Sequence, residues 1–325
     1  MTKISAIIST RNRPELIGGA VRSILANIYS NFDVVVVDQS DDDLTRAVVC
    51  ELAASHNNLR YVHTAIPGVS RARNLGVHRT GGEVVAFTDD DCVVAPDWLS
   101  SINAAFEDDP EVGMLYGQVL RPVDSVTDDG ILPTLEFENA FQIDRRTGFR
   151  LFGMTANFAA RRFAFEQVGG FDEVLGPGAA LNSGEDFDFQ YRAFLAGVTI
   201  AVRPEVRVDH YGFRDSQQWN ETQHRYGSGD AAFYLKHVRC GDPFACAMLV
   251  RRVGRVSARE LLSWLGIRRR GSFAVYLRAY VDGTRESLRF GVDRRSRLYR
   301  DTHAPRNASG VSLCRFPRAA SSRRS

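Results

Sequence analysis

An α/β fold built on a mainly parallel central sheet flanked by helices is predicted by three features of the chain. Short apolar runs alternate with helix-period segments over the first hundred residues or so. The run Val34-Val35-Val36-Val37 is β-branched throughout and apolar on both faces, as a central strand covered on either side should be. Polar clusters follow three of the runs directly, and in open sheets of this kind ligands bind in the crevice beyond the carboxyl ends of the strands.

Taken in order, Ile4–Ser9 is followed by a helical pattern over Glu15–Asn27, and Asp33–Val37 by one over Asp41–Ser55. Leu59–Thr64 precedes Ser70–Val77, and Glu83–Phe87 precedes Pro96–Phe106. Thr10-Arg11-Asn12-Arg13 closes the first run, Asp38-Gln39-Ser40-Asp41 the second and Asp89-Asp90-Asp91 the fourth. The parallel arrangement therefore projects three polar clusters from one edge of one sheet. Asp38 alone reads equally well as a helix-capping turn acid. Three consecutive carboxylates after a buried strand are harder to explain as a turn, because they repel one another unless a cation neutralises them.

With 325 residues, 44% of them hydrophobic and 25% charged, the chain can bury one large core, or one core with a smaller appendage. No secretory signal or membrane-spanning run is predicted, since the apolar stretch Ile4–Ile8 ends at Ser9-Thr10-Arg11. Five cysteines at irregular spacing, with no CxxC pair, argue against a disulfide framework and against structural zinc. A cytoplasmic protein, peripheral on the inner face of the membrane, is expected. The net charge of +2 hides an asymmetry: residues 251–325 carry 19 Arg against five acids, a balance of +14, which leaves −12 for residues 1–250. An acidic globular part is a poor nucleic-acid binder, and no nucleic-acid partner is expected, whereas a basic tail suits an anionic membrane surface.

Motifs in series sharpen this. The segments Ile-Ile-Ser-Thr10-Arg11-Asn-Arg13-Pro, Val-Val-Asp38-Gln-Ser, Ser70-Arg71-Ala-Arg73-Asn74-x-Gly76 and Phe-Thr-Asp89-Asp90-Asp91 with Pro96-Asp-Trp98-Leu99 occur in that order. Gly169-Gly170-Phe171-Asp172-Glu173 and Gly184-Glu185-Asp186 follow, and the series ends near Phe213. In this order they resemble family 2 of the inverting glycosyltransferases, over roughly the first two thirds of the chain. The resemblance implies a GT-A type fold and a nucleotide-diphosphate sugar donor, with uridine or thymidine as its base. It also implies a divalent cation, Mn2+ or Mg2+, held by Asp91, with Asp89 and Asp90 completing the shell or contacting the ribose. Asp38 would accept a hydrogen bond from the base. Thr10, Arg11 and Arg13, with Arg71 and Arg73, would sit near base and phosphates, though the arginines can equally pair with the aspartates in the empty protein. His210, in Val208-Asp209-His210-Tyr211, falls where relatives often carry a histidine that completes the metal site.

Inverting transfer is a single in-line displacement, so it needs no protein nucleophile, only a base for the acceptor hydroxyl. Glu185, Asp186 and Asp188 open a helix that runs to Ala196, where acids also favour the positive end of the helix dipole. Their place after a Gly-Gly-Phe-Asp-Glu segment and the loop Gly176-Pro-Gly178 singles out Asp186 as the base, with Glu185 a nearer alternative than Asp188. The segment Gln118–Phe152, with Glu136, Glu138, Asp144 and Arg145, carries no motif and is expected to shape the acceptor side.

Residues 1–215 are thus expected to form the catalytic domain, 216–302 a helical, basic, membrane-associating region, and 303–325 a disordered basic tail. Helices are predicted over Ala258–Ile267 and Phe273–Phe290. In the latter, Phe273, Tyr276, Leu277, Tyr280, Val281 and Leu288 share one face opposite Arg278, Asp282, Arg285, Glu286 and Arg289. Trp264 and these tyrosines beside Arg268-Arg269-Arg270 fit a helix lying in the headgroup layer, while packing on the catalytic domain is the competing reading. The acceptor would then be a glycan or a lipid-linked sugar in cell-surface polysaccharide or glycolipid synthesis. Two further classes compete: a sugar-phosphate nucleotidylyltransferase, which would need a glycine-rich phosphate loop that Thr10-Arg-Asn-Arg-Pro-Glu lacks, and an inactive adaptor, which would have lost acidic positions.

Overall fold

The computed structural model describes residues 1–123, 131–264, 273–300 and 311–313. Strands β1 (Ile4–Thr10), β2 (Phe32–Asp38), β3 (Leu59–Thr64) and β4 (Val84–Asp89) lie side by side and parallel in the order β3-β2-β1-β4. They are linked through α1 (Pro14–Leu25), α2 (Leu44–Ala53) and α3 (Val69–His78). Pro14 at the first turn suits the start of α1, whose Ile17, Ala20, Val21 and Ile24 recur at helical spacing and are buried. The valine run splits as predicted: Val34 and Val36 join one core, Val35 and Val37 the core on the opposite face. Helix α3 sits close on β1 because Gly76 carries no side chain; a Cβ there would stand 2.5 Å from Ile7 Cγ2.

The second half of the sheet departs from a wholly parallel plan. After β4 come β5 (Cys92–Val94), α4 (Trp98–Asp108), β6 (Val112–Leu120), β7 (Phe141–Ile143), β8 (Phe158–Arg161), α5 (Arg162–Val168), α6 (Glu185–Ala196) and β9 (Thr199–His210). The order continues β4-β8-β6-β9-β5, with β7 also on β9. β6 and β9 run parallel to each other and share the direction of the first four strands, whereas β5, β7 and β8 run against it. Mixed sheets of this kind remain mostly parallel, with helices on both faces.

Beyond β9, Asp215 caps α7 (Ser216–Arg239) in a reciprocal capping box with Gln218. Helices α8 (Pro243–Trp264) and α9 (Phe273–Ser287) follow, then the hairpin β10 (Gly291–Asp293) and β11 (Leu298–Arg300), and β12 (Val311–Leu313), which pairs antiparallel with β3. Three expectations change here. Helix α8 begins well before Ala258, because Asp242 accepts from the Phe244 and Ala245 N–H groups and Pro243 opens the first turn, and α9 ends at Ser287. Tyr276 and Tyr280 turn inward: both are buried in a cluster with Tyr191, Phe233, Tyr234 and Val256, and Gly227 of α7 sits where a Cβ would stand 2.7 Å from the Tyr276 carbonyl oxygen. Among the described side chains of the face assigned to α9, only Val281 and Leu288 are exposed. The expected disordered tail contains β12, a three-residue alternation too short to register in the sequence. The rest of 303–325, Arg268-Arg269-Arg270 and the side chains of Trp264 and Phe273 lie outside the described residues.

No helix among the described residues is long and apolar enough to cross a membrane. Cys92, Cys240 and Cys246 are free thiols, but Cys50 is disulfide-bonded, an exception to the expected absence of disulfides.

Candidate active site

Strand register builds the rim. Thr10 lies opposite Asp38 across the β1–β2 pair and Ser9 opposite Asp89 across β1–β4, so the predicted clusters do share one sheet edge. The Thr10 hydroxyl donates to Asp90 Oδ2 at 2.7 Å. Arg13, just beyond β1, reaches Asp90 at 2.9 Å and Asp91 at 3.2 Å. Arg73, nearly fully buried on α3, spans the two acidic segments: 3.2 Å to Asp89, 3.2 Å to Glu185 and 3.5 Å to Asp186. Five carboxyl groups thus gather around two guanidinium groups, so that burial and mutual repulsion compete with the ion pairs. Burial pushes the Asp90 carboxyl up to about 6 and also raises Asp89, whose main opposing influence is Arg73.

The long-range pairing of β5 with β9 brings His210 opposite Cys92 and beside Asp91. His210 Nε2 lies 3.4 Å from Asp91 Oδ1, and Nδ1 lies 2.9 Å from the Pro133 carbonyl oxygen. A carbonyl only accepts, so Nδ1 carries a proton and Nε2 faces the carboxylate. Burial opposes charge on His210, yet the Asp91 hydrogen bond and charge lift its pKa above the ordinary value. For Asp91 burial likewise acts upward, and His210 with Arg13 outweighs it and holds the carboxyl below its usual range. Nε2 and the Asp91 carboxylate thus face a common space where a cation could bind both groups. Donor atoms of Asp91, Cys92 and His210 lie within 4.8 Å of one another. Burial raises the Cys92 thiol well above its ordinary pKa, which leaves Asp91 and His210 as the usable ligands of that group. The space is kept open by Gly212, where a Cβ would stand 2.6 Å from both Asp91 Oδ2 and His210 Nε2. Oxygen and imidazole donors in an acidic surround fit a divalent cation such as Mn2+ or Mg2+.

On the other side of Arg73, Gly184 adopts the left-handed conformation (φ 88°) that turns the chain into α6, so Glu185 and Asp186 form its first turn. Their surroundings differ. The Glu185 side chain is 9% exposed, and burial first, then repulsion from Asp186, pushes its carboxyl up to about 8. The Asp186 side chain is 25% exposed, and it accepts from the Thr155 hydroxyl at 2.7 Å and the Thr155 backbone N–H at 3.2 Å. Thr155, buried in a short 3-10 turn, was missed by sequence reasoning: a lone threonine outside any motif gives no signal. Asp188 takes no part; it turns into the interior toward Lys236, Arg192 and His237.

Other predicted residues separate. Asp38 is fully buried at the rim, accepting from the Tyr61 hydroxyl at 2.7 Å and the Ser40 N–H at 2.8 Å. Arg11 points outward to Asp41 at 3.3 Å, away from the aspartate triple. Arg71 lies 3.5 Å from Glu173. Asp144 caps its own turn through the Arg146 and Thr147 N–H groups, Arg145 donates to the Leu195 carbonyl, and Glu136 and Glu138 are exposed.

Known proteins give this geometry a context. The chain is 25% identical over 276 residues to the pre-mycofactocin glycosyltransferase of Mycobacterium tuberculosis, covering 81% of this chain and 52% of that one. It spans about half the length of the curated relatives it matches first. Among solved structures, the mannosyltransferase PcManGT from Pyrobaculum calidifontis in complex with GDP-Man and Mn2+ aligns with a TM-score of 0.58 at 17% identity, over 88% of this chain and 86% of that one. Residues 1–349 of S. aureus TarS, in complex with UDP-GlcNAc, align with a TM-score of 0.55 at 17% identity, over 90% and 94%. At such identities these two speak for the fold, which is GT-A. The family model "Glycosyl transferase family 2" matches residues 5–169, just over half of the 325, and the chain therefore belongs to glycosyl transferase family 2.

Proposed function

We propose that the chain transfers a sugar from a nucleotide-diphosphate donor, UDP or dTDP, to an acceptor hydroxyl with inversion at the anomeric carbon. The observation that carries this reading is the Arg73 bridge, which ties the Asp89–Asp91 segment beside His210 to Asp186 in one charged cluster at the sheet rim. Asp91 and His210 would hold a divalent cation, and Asp89 would complete the set. When bound, the cation stabilises charge that develops on the diphosphate leaving group.

The protein's own groups supply the rest. Asp186 takes the proton from the acceptor hydroxyl: it is the more exposed of the two first-turn acids, and Thr155 fixes its two oxygens, so one lone pair can be aimed at the acceptor. Glu185, buried and inclined to hold its proton, is the poorer base. Arg73 and Arg13 are placed to exchange carboxylate partners for phosphate oxygens once a donor enters. Asp38, Thr10 and Asp90 hold the base end of the site. The 1–215 portion carries this chemistry. The basic 216–302 portion places the protein on an anionic membrane surface on the cytoplasmic side, where a lipid-linked or polysaccharide acceptor is within reach, and 303–325 serves as a basic tail.

Hydrolysis of a panel of nucleotide sugars, followed with and without Mn2+, tests the reading. Turnover of one donor that appears only with the cation is expected. Equal turnover without it would overturn the cation reading, and binding without turnover of any donor would favour the inactive adaptor.

A further inference from the structure

The outward face of α8 is apolar and edged with arginine. Ala245 and Val256 point inward and are buried, and Arg252 on the same side pairs with Asp230 at 2.8 Å. Half a turn away, Ala247, Val250, Gly254 and Ala258 form an exposed stripe at helical spacing, with Val253 beside it. Val250 is 67% exposed. Arg251, Arg255 and Arg259 line the adjacent flank at intervals of four, all exposed and none paired with an acid among the described residues. From Pro243 to Arg259 the helix carries no acidic residue at all.

We infer that α8 docks this face on an anionic phospholipid bilayer, its apolar stripe entering the headgroup layer and its arginine row meeting lipid phosphates. The membrane reading proposed above is the premise, and the surface named here is new: the tyrosines of α9 are spent on packing, whereas this face of α8 is exposed among the described residues. Charge decides against the rival occupants. A second copy related by a two-fold axis would meet the same face, setting arginine near arginine with no acid among the described residues of that face to neutralise either. RNA would satisfy the arginines but leave Val250 and Val253 in water.

Co-sedimentation of the full chain with phosphatidylcholine vesicles, with and without phosphatidylglycerol, provides the test. The protein should bind the phosphatidylglycerol vesicles, less so at high salt. The triple variant Arg251→Gln, Arg255→Gln, Arg259→Gln should weaken binding about a hundredfold. The pair Val250→Asp, Val253→Asp should abolish it, with metal-dependent donor hydrolysis in solution unchanged in both variants. If the wild-type chain ignored these vesicles, the membrane reading and the α8 surface would fall together. If it bound and both variants bound as well, the α8 surface alone would fall. Self-association, or RNA binding, that the α8 substitutions remove while vesicle binding is absent would assign the face to a different occupant and overturn the inference.

Discussion

A methyl group at position 212 would collide with both Asp91 and His210, so the smallest change near the site is also among the most informative. Gly212→Ala is expected to weaken Mn2+-dependent donor binding about tenfold or more while leaving the thermal melt nearly unchanged, checked by titrating Mn2+ at fixed UDP. Asp186→Asn should keep donor binding and abolish transfer; retained transfer would move the base elsewhere. Thr155→Val removes one of the two hydrogen bonds that aim Asp186, and a fall in kcat on the order of a hundredfold with little change in donor KM would mark it as a positioning residue. Glu185 gives a pH signature. Its carboxyl is raised by burial to about 8, so the folded state keeps a proton that the unfolded chain releases near the ordinary glutamate value. Stability from this residue is fully present in acid and is lost as pH rises through 8. Glu185→Gln should therefore stabilise the protein relative to wild type at pH 9, with the advantage shrinking toward pH 5, as read by urea midpoints across that range.

At the scale of elements, α6 is the piece on which the catalytic assignment hangs, and its position is set from outside the first 215 residues. Lys236 of α7, fully buried, lies 2.6 Å from Asp172 and 2.5 Å from Asp188. His237 Nε2 lies 2.9 Å from the same Asp188, and Arg192 donates to it and to the carbonyls of Val168 and Gly170. Despite burial, which acts upward, the charges of Lys236 and Arg192 and the His237 hydrogen bond hold the Asp188 carboxyl far below its usual range. Replacing Lys236 by Met leaves two buried carboxylates short of a partner and should cost about 3–5 kcal/mol in a urea unfolding experiment, part of which the added change Asp188→Asn should restore. Recovery in the double variant separates loss of charge balance from loss of packing.

Over the whole molecule, what could be read in advance follows the range of the interactions concerned. β1 to β4 and their helices were legible because each strand, its turn residues and its helix are contiguous, and the aspartate triple ends a strand whose apolar run is plain. The meeting of His210 with Asp91 depends on β5 pairing with β9 across more than a hundred residues, so residue pattern alone left His210 undecided and only the resemblance favoured it. The antiparallel strands β7 and β8 are three and four residues long, too brief for a period to show. The inward turn of Tyr276 and Tyr280 was hidden for another reason: a helical wheel separates faces without saying which one is covered. Arg11 turns away from the aspartate triple toward Asp41, and Asp188, already the least favoured of the three acids, turns inward, since a charged residue next to a motif is not thereby part of it. In the proposed function, one cation site beside Asp91 and His210 governs donor binding while Asp186 governs transfer. Calorimetric titration of UDP into wild-type, Asp91→Asn and Asp186→Asn protein, with and without Mn2+, addresses it most directly. Binding that requires Mn2+ in wild type, is lost in Asp91→Asn and is kept in Asp186→Asn is the predicted result; binding indifferent to Mn2+ or to the Asp91 substitution would contradict it.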